Sequence, residues 1–456
     1  MDLQSQGISN DNDKADVFFN VTETSDIQNV SPNSSLSMSL AQLKIIPQFY
    51  FKNGEPLSNE MKDILVSKIL CVFNDHSDRL SVKDFKIITK FCKLPSFFCG
   101  ALFRRIDTER IGIITSDDFI KFWIKNNIVS MDKATQVYRI LKQPDKNYLT
   151  KKDFKPIIKE FIETHPYLEF LQDIPSFQKK YAKTVIYTIF YYVDHAGSGY
   201  ITLKDLKHGD IIPALLGVEE ETDLDKSLFK KYFSYKQFYV LYCKFCDLDF
   251  NHDFTVDKYD LIKYDNSALS TRIVERIFSQ FPRKFTCAIK GKMGYEDFVY
   301  FKLAEEYKSS KPGVKYWFKC IDLSGNGAIR RNDLQYFIEE QLHRIECMND
   351  TTILFENILC QIHDIIRPKN KGFLTLQDFR ECSLSGTVFN MIFNVVKFIA
   401  YEKKEAYTLE QMEMDSNMTE WDAFALNEYY LLVKNRIQDV DIDVSNVIDD
   451  EVSALY

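Results

Sequence analysis

One pattern recurs along this chain and restricts its fold more than any other feature: an aliphatic residue, then Asp four positions later, then an apolar residue. The copies are Leu80, Asp84, Phe85; Ile114, Asp118, Phe119; Leu149, Asp153, Phe154; Ile201, Asp205, Leu206; Val256, Asp260, Leu261; Met293, Asp297, Phe298; Ile329, Asp333, Leu334; and Leu374, Asp378, Phe379. A single copy means little, because Asp is common at helix starts, where it caps exposed amides. Eight copies in order, 34 to 55 residues apart, are hard to obtain by chance and fit a repeated helix–loop–helix unit. In that register the aliphatic residue is the eighth position of a twelve-residue loop and the Asp is the twelfth.

The most informative loop is Asp249 to Asp260, DFNHDFTVDKYD. Oxygen-bearing side chains stand at its first, third, fifth, ninth and twelfth positions, as Asp249, Asn251, Asp253, Asp257 and Asp260, and the carbonyl of Thr255 is available at the seventh. That is the ligand spacing of an EF-hand calcium loop. Val256 fills the eighth position, where an apolar residue lets two loops pair by a short β-bridge. Two residues depart from the pattern. Phe254 holds the sixth position, where the sharp turn favours Gly, and Asp260 replaces the longer Glu, which reduces calcium affinity or admits magnesium.

A second loop, Asp322 to Asp333, offers Asp322, Ser324 and Asn326, Gly327 at the turn, the carbonyl of Ala328, and Asp333. With two carboxylates and Arg330 at the ninth position, it is the weaker site. The loop at Asp194 has Ala196 at its third position, and that at Asp107 has Ile111 at its fifth. The loops ending at Asp84, Asp153, Asp297 and Asp378 begin with Phe73, Lys142, Thr286 and Arg367, so six of the eight are expected to be structural only.

Helical periodicity flanks the loops: Phe238, Leu241, Tyr242 and Phe245 precede Asp249, while Leu334, Phe337, Ile338 and Leu342 follow the second loop. The expected fold is mainly α, an elongated array of EF-hand-like units with short β-bridges between paired loops. Its parts are a disordered tail over 1–38, a degenerate helical domain over 39–170, a central EF-hand domain over 171–400, and a helical extension with an acidic tail over 401–456. Within LKIIPQFYF, Ile45, Ile46, Pro47, Phe49, Tyr50 and Phe51 form an extended apolar segment, read either as packing on the chain's own core or as a docking strip for a partner.

A net charge of −8, with basic residues scattered among acids, argues against a nucleic-acid face. No apolar run is long enough to span a membrane and no secretory signal is apparent, so the expected location is cytoplasmic, with the nucleus as a further compartment. Ten cysteines without a disulfide framework suit that setting. Cys243 and Cys246 form a CxxC, but no second pair or His stands at a zinc-ligand interval, so they are read as part of a helix. No phosphate loop, nucleophile elbow or HExxH is present, and a non-enzymatic protein is expected.

The runs FSYKQFYVLYCKFCDLDFNHDFTVDKYDLIKYDNSALSTRIVERIFSQFPRKF and VKYWFKCIDLSGNGAIRRNDLQYFIEEQL closely resemble the B'' regulatory subunits of protein phosphatase 2A, most strongly their plant and protist branch. LKIIPQFYF, HPYLEFLQDIPSFQKKYAKTVIYTIFYYVD and TEWDAFALNEYY extend the resemblance to about residues 43–435. It implies a calcium-responsive regulator, not a catalyst, that associates with the scaffold and catalytic subunits of a Ser/Thr phosphatase and directs its choice of phosphoprotein substrates. It also implies two calcium sites, on the loops at Asp249 and Asp322, and a docking role for residues 43–51. In that family the second loop has acids at positions three and five, where this chain has Ser324 and Asn326. The alternatives are a calcium buffer acting alone and a calcium-sensing centrosomal or cytoskeletal scaffold.

Overall fold

The computed structural model describes residues 58–225, 227–349, 353–402 and 418–440. The apolar segment 43–51 therefore lies outside the described residues, as do most of the predicted N-terminal domain's first residues and the acidic tail.

The described chain is mostly helix, and its extended pieces join loops, apart from one isolated bridge between Leu269 and Asn394. The aliphatic residues at the eighth positions pair in sequence order, two by two. Leu80 bridges Ile114, and Leu149 bridges Ile201, each as an isolated antiparallel bridge. Val256 pairs with Met293, flanked by Thr255 with Gly294, and Ile329 pairs with Leu374, flanked by Ala328 with Thr375. The repeat therefore builds four pairs of hands, and the mainly α architecture with tiny bridges is as the sequence predicts.

Burial explains why this residue pattern is required. All eight bridge residues are at most 1 % exposed, and so are the apolar residues after each Asp, from Phe85 to Phe379. Each bridge thus drives two side chains from opposite loops into the layer between the flanking helices, and the residue after the Asp drops from the first turn of the next helix into the same layer. At about 25 cal/mol per Å² of apolar surface removed from water, this layer supplies most of what holds each pair together.

Each repeated Asp also has a local task. In every copy but the first, where Asp84 precedes the helix Lys86–Phe91, it sits at the third position of the following helix, and its carboxylate turns back to the loop: Asp118 accepts from the amide and hydroxyl of Thr115, Asp153 from Thr150, Asp205 from Thr202 and Asp378 from Thr375, at 2.6–3.2 Å. These are capping boxes that satisfy helix-start donors.

The helix Pro175–Val193 packs on Lys151–Thr164, Tyr235–Leu248 and Tyr295–Glu306, and so lies between the second and third loop pairs. Tyr295 of the third pair reaches Thr184 on it at 2.8 Å. The helix Glu420–Val440 lies on Tyr235–Leu248, which leads into the Asp249 loop. There Trp421 is 1 % exposed and donates its indole N–H to Gln237, whose amide donates in turn to Asp422, each at 2.8 Å. Cys243 and Cys246 fall half-buried on Tyr235–Leu248, as the helical reading of the CxxC expects.

Candidate metal centre

The helix Tyr235–Leu248 ends where Asp249 begins the loop. Asp249 is buried, and its two carboxylate oxygens accept from the amides of Asp253 and Phe254 at 3.1 and 2.9 Å, which curls the chain around it. Asn251 accepts from the same Asp253 amide at 3.2 Å. The carboxylate of Asp253 takes the Thr255 amide at 2.8 Å and the Thr255 hydroxyl. Asp257 caps the helix Lys258–Ile262 through the amides of Tyr259 and Asp260, and Asp260 accepts from the Asp257 amide at 2.9 Å.

The sixth position behaves as its geometry requires even without Gly. Phe254 has φ +63°, in the left-handed region, which a side chain with a Cβ enters at a cost of about 1 kcal/mol. Its ring shows what offsets that cost: it lies 4.9 Å from Phe245 and 5.9 Å from Tyr295, with the Lys180 ammonium 3.0 Å from its centroid. Half-burying a Phe and gaining such aromatic contacts contributes about 2–3 kcal/mol. Phe254→Gly is therefore expected to destabilise the chain by about 1–2 kcal/mol despite the easier turn, as measured by chemical denaturation.

Among the described residues, no three His, Cys, Asp or Glu side chains converge on a common point. What the Asp249 loop does hold is a cation of the protein's own. Lys292, at the seventh position of the bridged loop Thr286 to Asp297, places its ammonium on Asp253, and this pairing with Lys292 holds the Asp253 carboxyl down at about 2. Asp260 is pushed up instead, first by burial and also by the nearby Asp257. Four carboxylates and an amide on one loop, one of them already bearing an ammonium, are a donor set suited to a hard divalent cation.

The second loop repeats the curl. Asp322 is buried; it accepts from Gly325 and Asn326 at 2.8 and 3.3 Å through one oxygen and from Gly327 at 2.7 Å through the other. Gly327 takes φ +80°, as its sixth position demands. Ser324 and Asn326 hydrogen-bond within the loop, and Asp333 accepts from the Arg330 amide at 2.8 Å. The Arg330 side chain turns away to the Phe373 ring, 5.6 Å from its centroid. Ala328 lies in the bridge to Thr375. The two ligand-bearing loops thus belong to different pairs, each bridged to a loop poor in ligands.

Asp194 and Asp107 make the same first-position contacts, to Gly197, Ser198 and Gly199 and to Ile111 and Gly112 respectively. A first-position Asp therefore shapes the loop whether or not ligands follow. Two of the poor loops carry resident cations. Lys142 donates to the carbonyls of Gln143, Pro144 and Lys146 at 2.8–3.2 Å, and Arg283 pairs with buried Asp297 at 2.6 Å. Sequence reasoning did not pick out Lys142, Arg283 or Lys292 as cations. For Lys142 the clue was its place at a ligand position; for the others the partner lies on a neighbouring segment.

Eight helix–loop–helix units bridged in four pairs, two of them bearing ligand sets, define an EF-hand protein. Family models agree: an EF-hand domain matches residues 132–221 and an EF-hand domain pair matches 238–339. Among curated proteins, the chain is 49 % identical over 415 residues to the probable B''delta regulatory component of serine/threonine protein phosphatase 2A from Arabidopsis thaliana, covering 91 % of this chain and 77 % of that one. It is 51 % identical to the probable B''epsilon counterpart from the same plant, covering 91 % and 78 %, and 36 % identical to the human beta form of B'', covering 85 % and 68 %. A solved chain described as a PP2A PR70 holoenzyme and labelled diCa matches with a TM-score of 0.55 and 38 % identity, over 59 % of this chain and 98 % of that one. The chain belongs to the B'' family of regulatory subunits of serine/threonine protein phosphatase 2A.

Proposed function

We propose that this protein is a calcium-responsive regulator that associates with the scaffold and catalytic subunits of a phosphatase and directs them to phosphoprotein substrates. The observation that carries this reading is about 50 % identity over nine-tenths of the chain to proteins named as regulators of that enzyme. The structural likeness to a chain of a PP2A holoenzyme supports it. The reading places the protein in the cytoplasm and gives residues 43–51 a docking role.

A divalent cation at the first loop would be held by Asp249, Asn251, Asp253, Asp257 and Asp260 with the Thr255 carbonyl, and at the second by Asp322, Ser324, Asn326, Asp333 and the Ala328 carbonyl. Bound there, it would neutralise clustered carboxylates and favour the ordered loop. One or two ions, calcium or magnesium, are compatible with these sets. Because Asp253 already holds Lys292, an incoming ion competes with an ammonium. The pair is solvent-exposed and therefore weak, so Lys292→Ala should tighten calcium binding at the first loop by no more than about fivefold in a calorimetric titration.

The function is tested by purifying the tagged protein from its own cells with and without chelator. Scaffold and catalytic subunits should accompany it, in larger amount when calcium is present; their absence under both conditions would overturn the reading. A buffer acting alone would take up calcium and bring neither of them.

A further inference from the structure

A groove of about 780 Å³ lies away from the ion loops' ligands, between the end of the helix Pro175–Val193 with its Asp194 loop, the connection 280–286, and the helix Lys311–Ile321. In a chain of net charge −8, its lining is strongly basic, with seven Lys and Arg against two acids. Three of the seven are engaged: Lys151 with Glu296, Arg283 with Asp297, and Lys315 with the carbonyls of His195 and Ala196. Lys284, Lys311, Lys319 and Arg380 are exposed and have no hydrogen-bond or ion-pair partner among the described residues. Burial depresses the Lys315 ammonium, and the adjacent charges of Lys319 and Arg380 add to that effect, so like charges are crowded here. Tyr191, Tyr316 and Pro282 contribute buried apolar surface to the lining, and Phe281, 52 % exposed, stands at the rim.

The spacing of the charges selects the ligand. Lys311, Lys315 and Lys319 stand at i, i+4 and i+8 on one helix face, about 6 Å apart along the axis. Alternate residues of an extended peptide are about 6.8 Å apart on one side. A phosphate would want several donors focused on one point, whereas this charge is spread along a line. We propose that the groove holds an extended acidic segment of a partner protein, with Asp or Glu at alternate positions. Resting on the phosphatase reading, this makes the groove a substrate-selecting surface. Its rim also touches the second ion loop: Phe281 lies so close to Gly325 that a Cβ there would sit 2.5 Å from its ring, and Arg276, stacked 4.3 Å from Phe281, donates to the Asp322 carbonyl.

The test is fluorescence anisotropy of the full chain with a dye-labelled peptide of about twelve residues alternating Glu and Ser. Binding should weaken at least about tenfold in the triple variant Lys311→Glu/Lys319→Glu/Arg380→Glu, and several-fold between about 50 and 300 mM salt. Lys311→Arg/Lys319→Arg should bind like the wild type, which checks that the fold is kept. Equal binding by the triple variant, or of a Gln-for-Glu peptide, would overturn the proposal. Tighter binding of a peptide bearing one phosphoserine would overturn it in favour of a phosphate site. So would a tenfold gain in affinity on truncation after Val440, which would assign the groove to the chain's own acidic tail, with five acids over 441–456. Copurification of the triple variant with the phosphatase subunits separates the two readings: assembly kept with peptide binding lost supports both, while failure of the wild type to assemble sinks only the phosphatase reading.

Discussion

Asp249→Ala should remove calcium binding at the first loop and also weaken the fold. The carboxylate is the loop's first ligand, and ligand charge count tunes such loops over several decades, so a loss of about two orders of magnitude or more in affinity is expected by calorimetric titration. The second effect needs no ion. Asp249 is 3 % exposed and takes two amides, from Asp253 and Phe254; hydrogen bonds to a charged group contribute about 1.5–3 kcal/mol each, and buried amides left unsatisfied are costly. Denaturation in chelator should therefore show a loss of about 2–4 kcal/mol. Asp257→Asn separates the two roles. Asn caps a helix about as well as Asp, so the bonds to Tyr259 and Asp260 survive and stability should stay within about 0.5 kcal/mol, while calcium affinity falls with the lost charge. If both variants lose stability equally and neither changes calcium binding, the loop is a scaffold and not a metal site.

That Asp249 serves the loop's shape as well as its ligand set is visible only by comparison with Asp194 and Asp107, whose loops curl identically without a ligand set. The repeat itself was legible because one side chain per loop, such as Val256 or Leu374, must be fully buried opposite another, and that demand leaves a mark at a fixed distance from the Asp. A second mark was missed. Ser81, Thr115, Thr150, Thr202 and Thr375 recur at the ninth position, where they form capping pairs with the repeated Asp; the spacing alone could have revealed them. Phe254 was legible as a backbone cost, but not its compensation, because Lys180 and Tyr295 come from 74 residues before and 41 after it in the chain. Arg330 read as a charge facing the ion, and only the bridge to the eighth loop brings Phe373 near enough to draw it off. Charged residues toward the end of a helix ordinarily read as a solvated face, and for the sequence KLAEEYKSS that reading fails.

Here Lys302, Glu305, Glu306 and Lys308 are all at most 6 % exposed. Glu306 accepts from Lys302 at 2.6 Å and the Tyr264 hydroxyl at 2.7 Å through one oxygen, and from Lys397 at 2.7 Å through the other. Glu305 takes Lys308 and the Asn394 amide, and Lys302 also lies 4.1 Å from the ring of Phe424 on the C-terminal helix. The cluster thus links the third pair, the kink after Ile262, the helix Val395–Glu402 and the helix Glu420–Val440. Burial opposes ionisation of Glu306, but the ammonium groups of Lys302, Lys397 and Lys308 outweigh it and hold the carboxyl well below 4.5; burial depresses Lys308 to about 8. Glu306→Ala should cost about 3–5 kcal/mol, because it strands the Lys302 ammonium, 2 % exposed, where water does not reach and leaves Lys397 only the longer contact with Glu305 at 3.6 Å. Lys302→Met/Glu306→Met should recover most of that loss, since an apolar pair of similar volume avoids desolvating charge. Acid acts in the same direction as the single substitution. With its native value below the unfolded one, the Glu306 contribution is complete above pH 4.5 and disappears as pH falls through the lower native value. Urea titration of the three proteins at neutral pH, followed by tryptophan fluorescence of Trp421 and Trp317, measures the effect: a loss under about 1 kcal/mol for Glu306→Ala would show that the cluster is solvated.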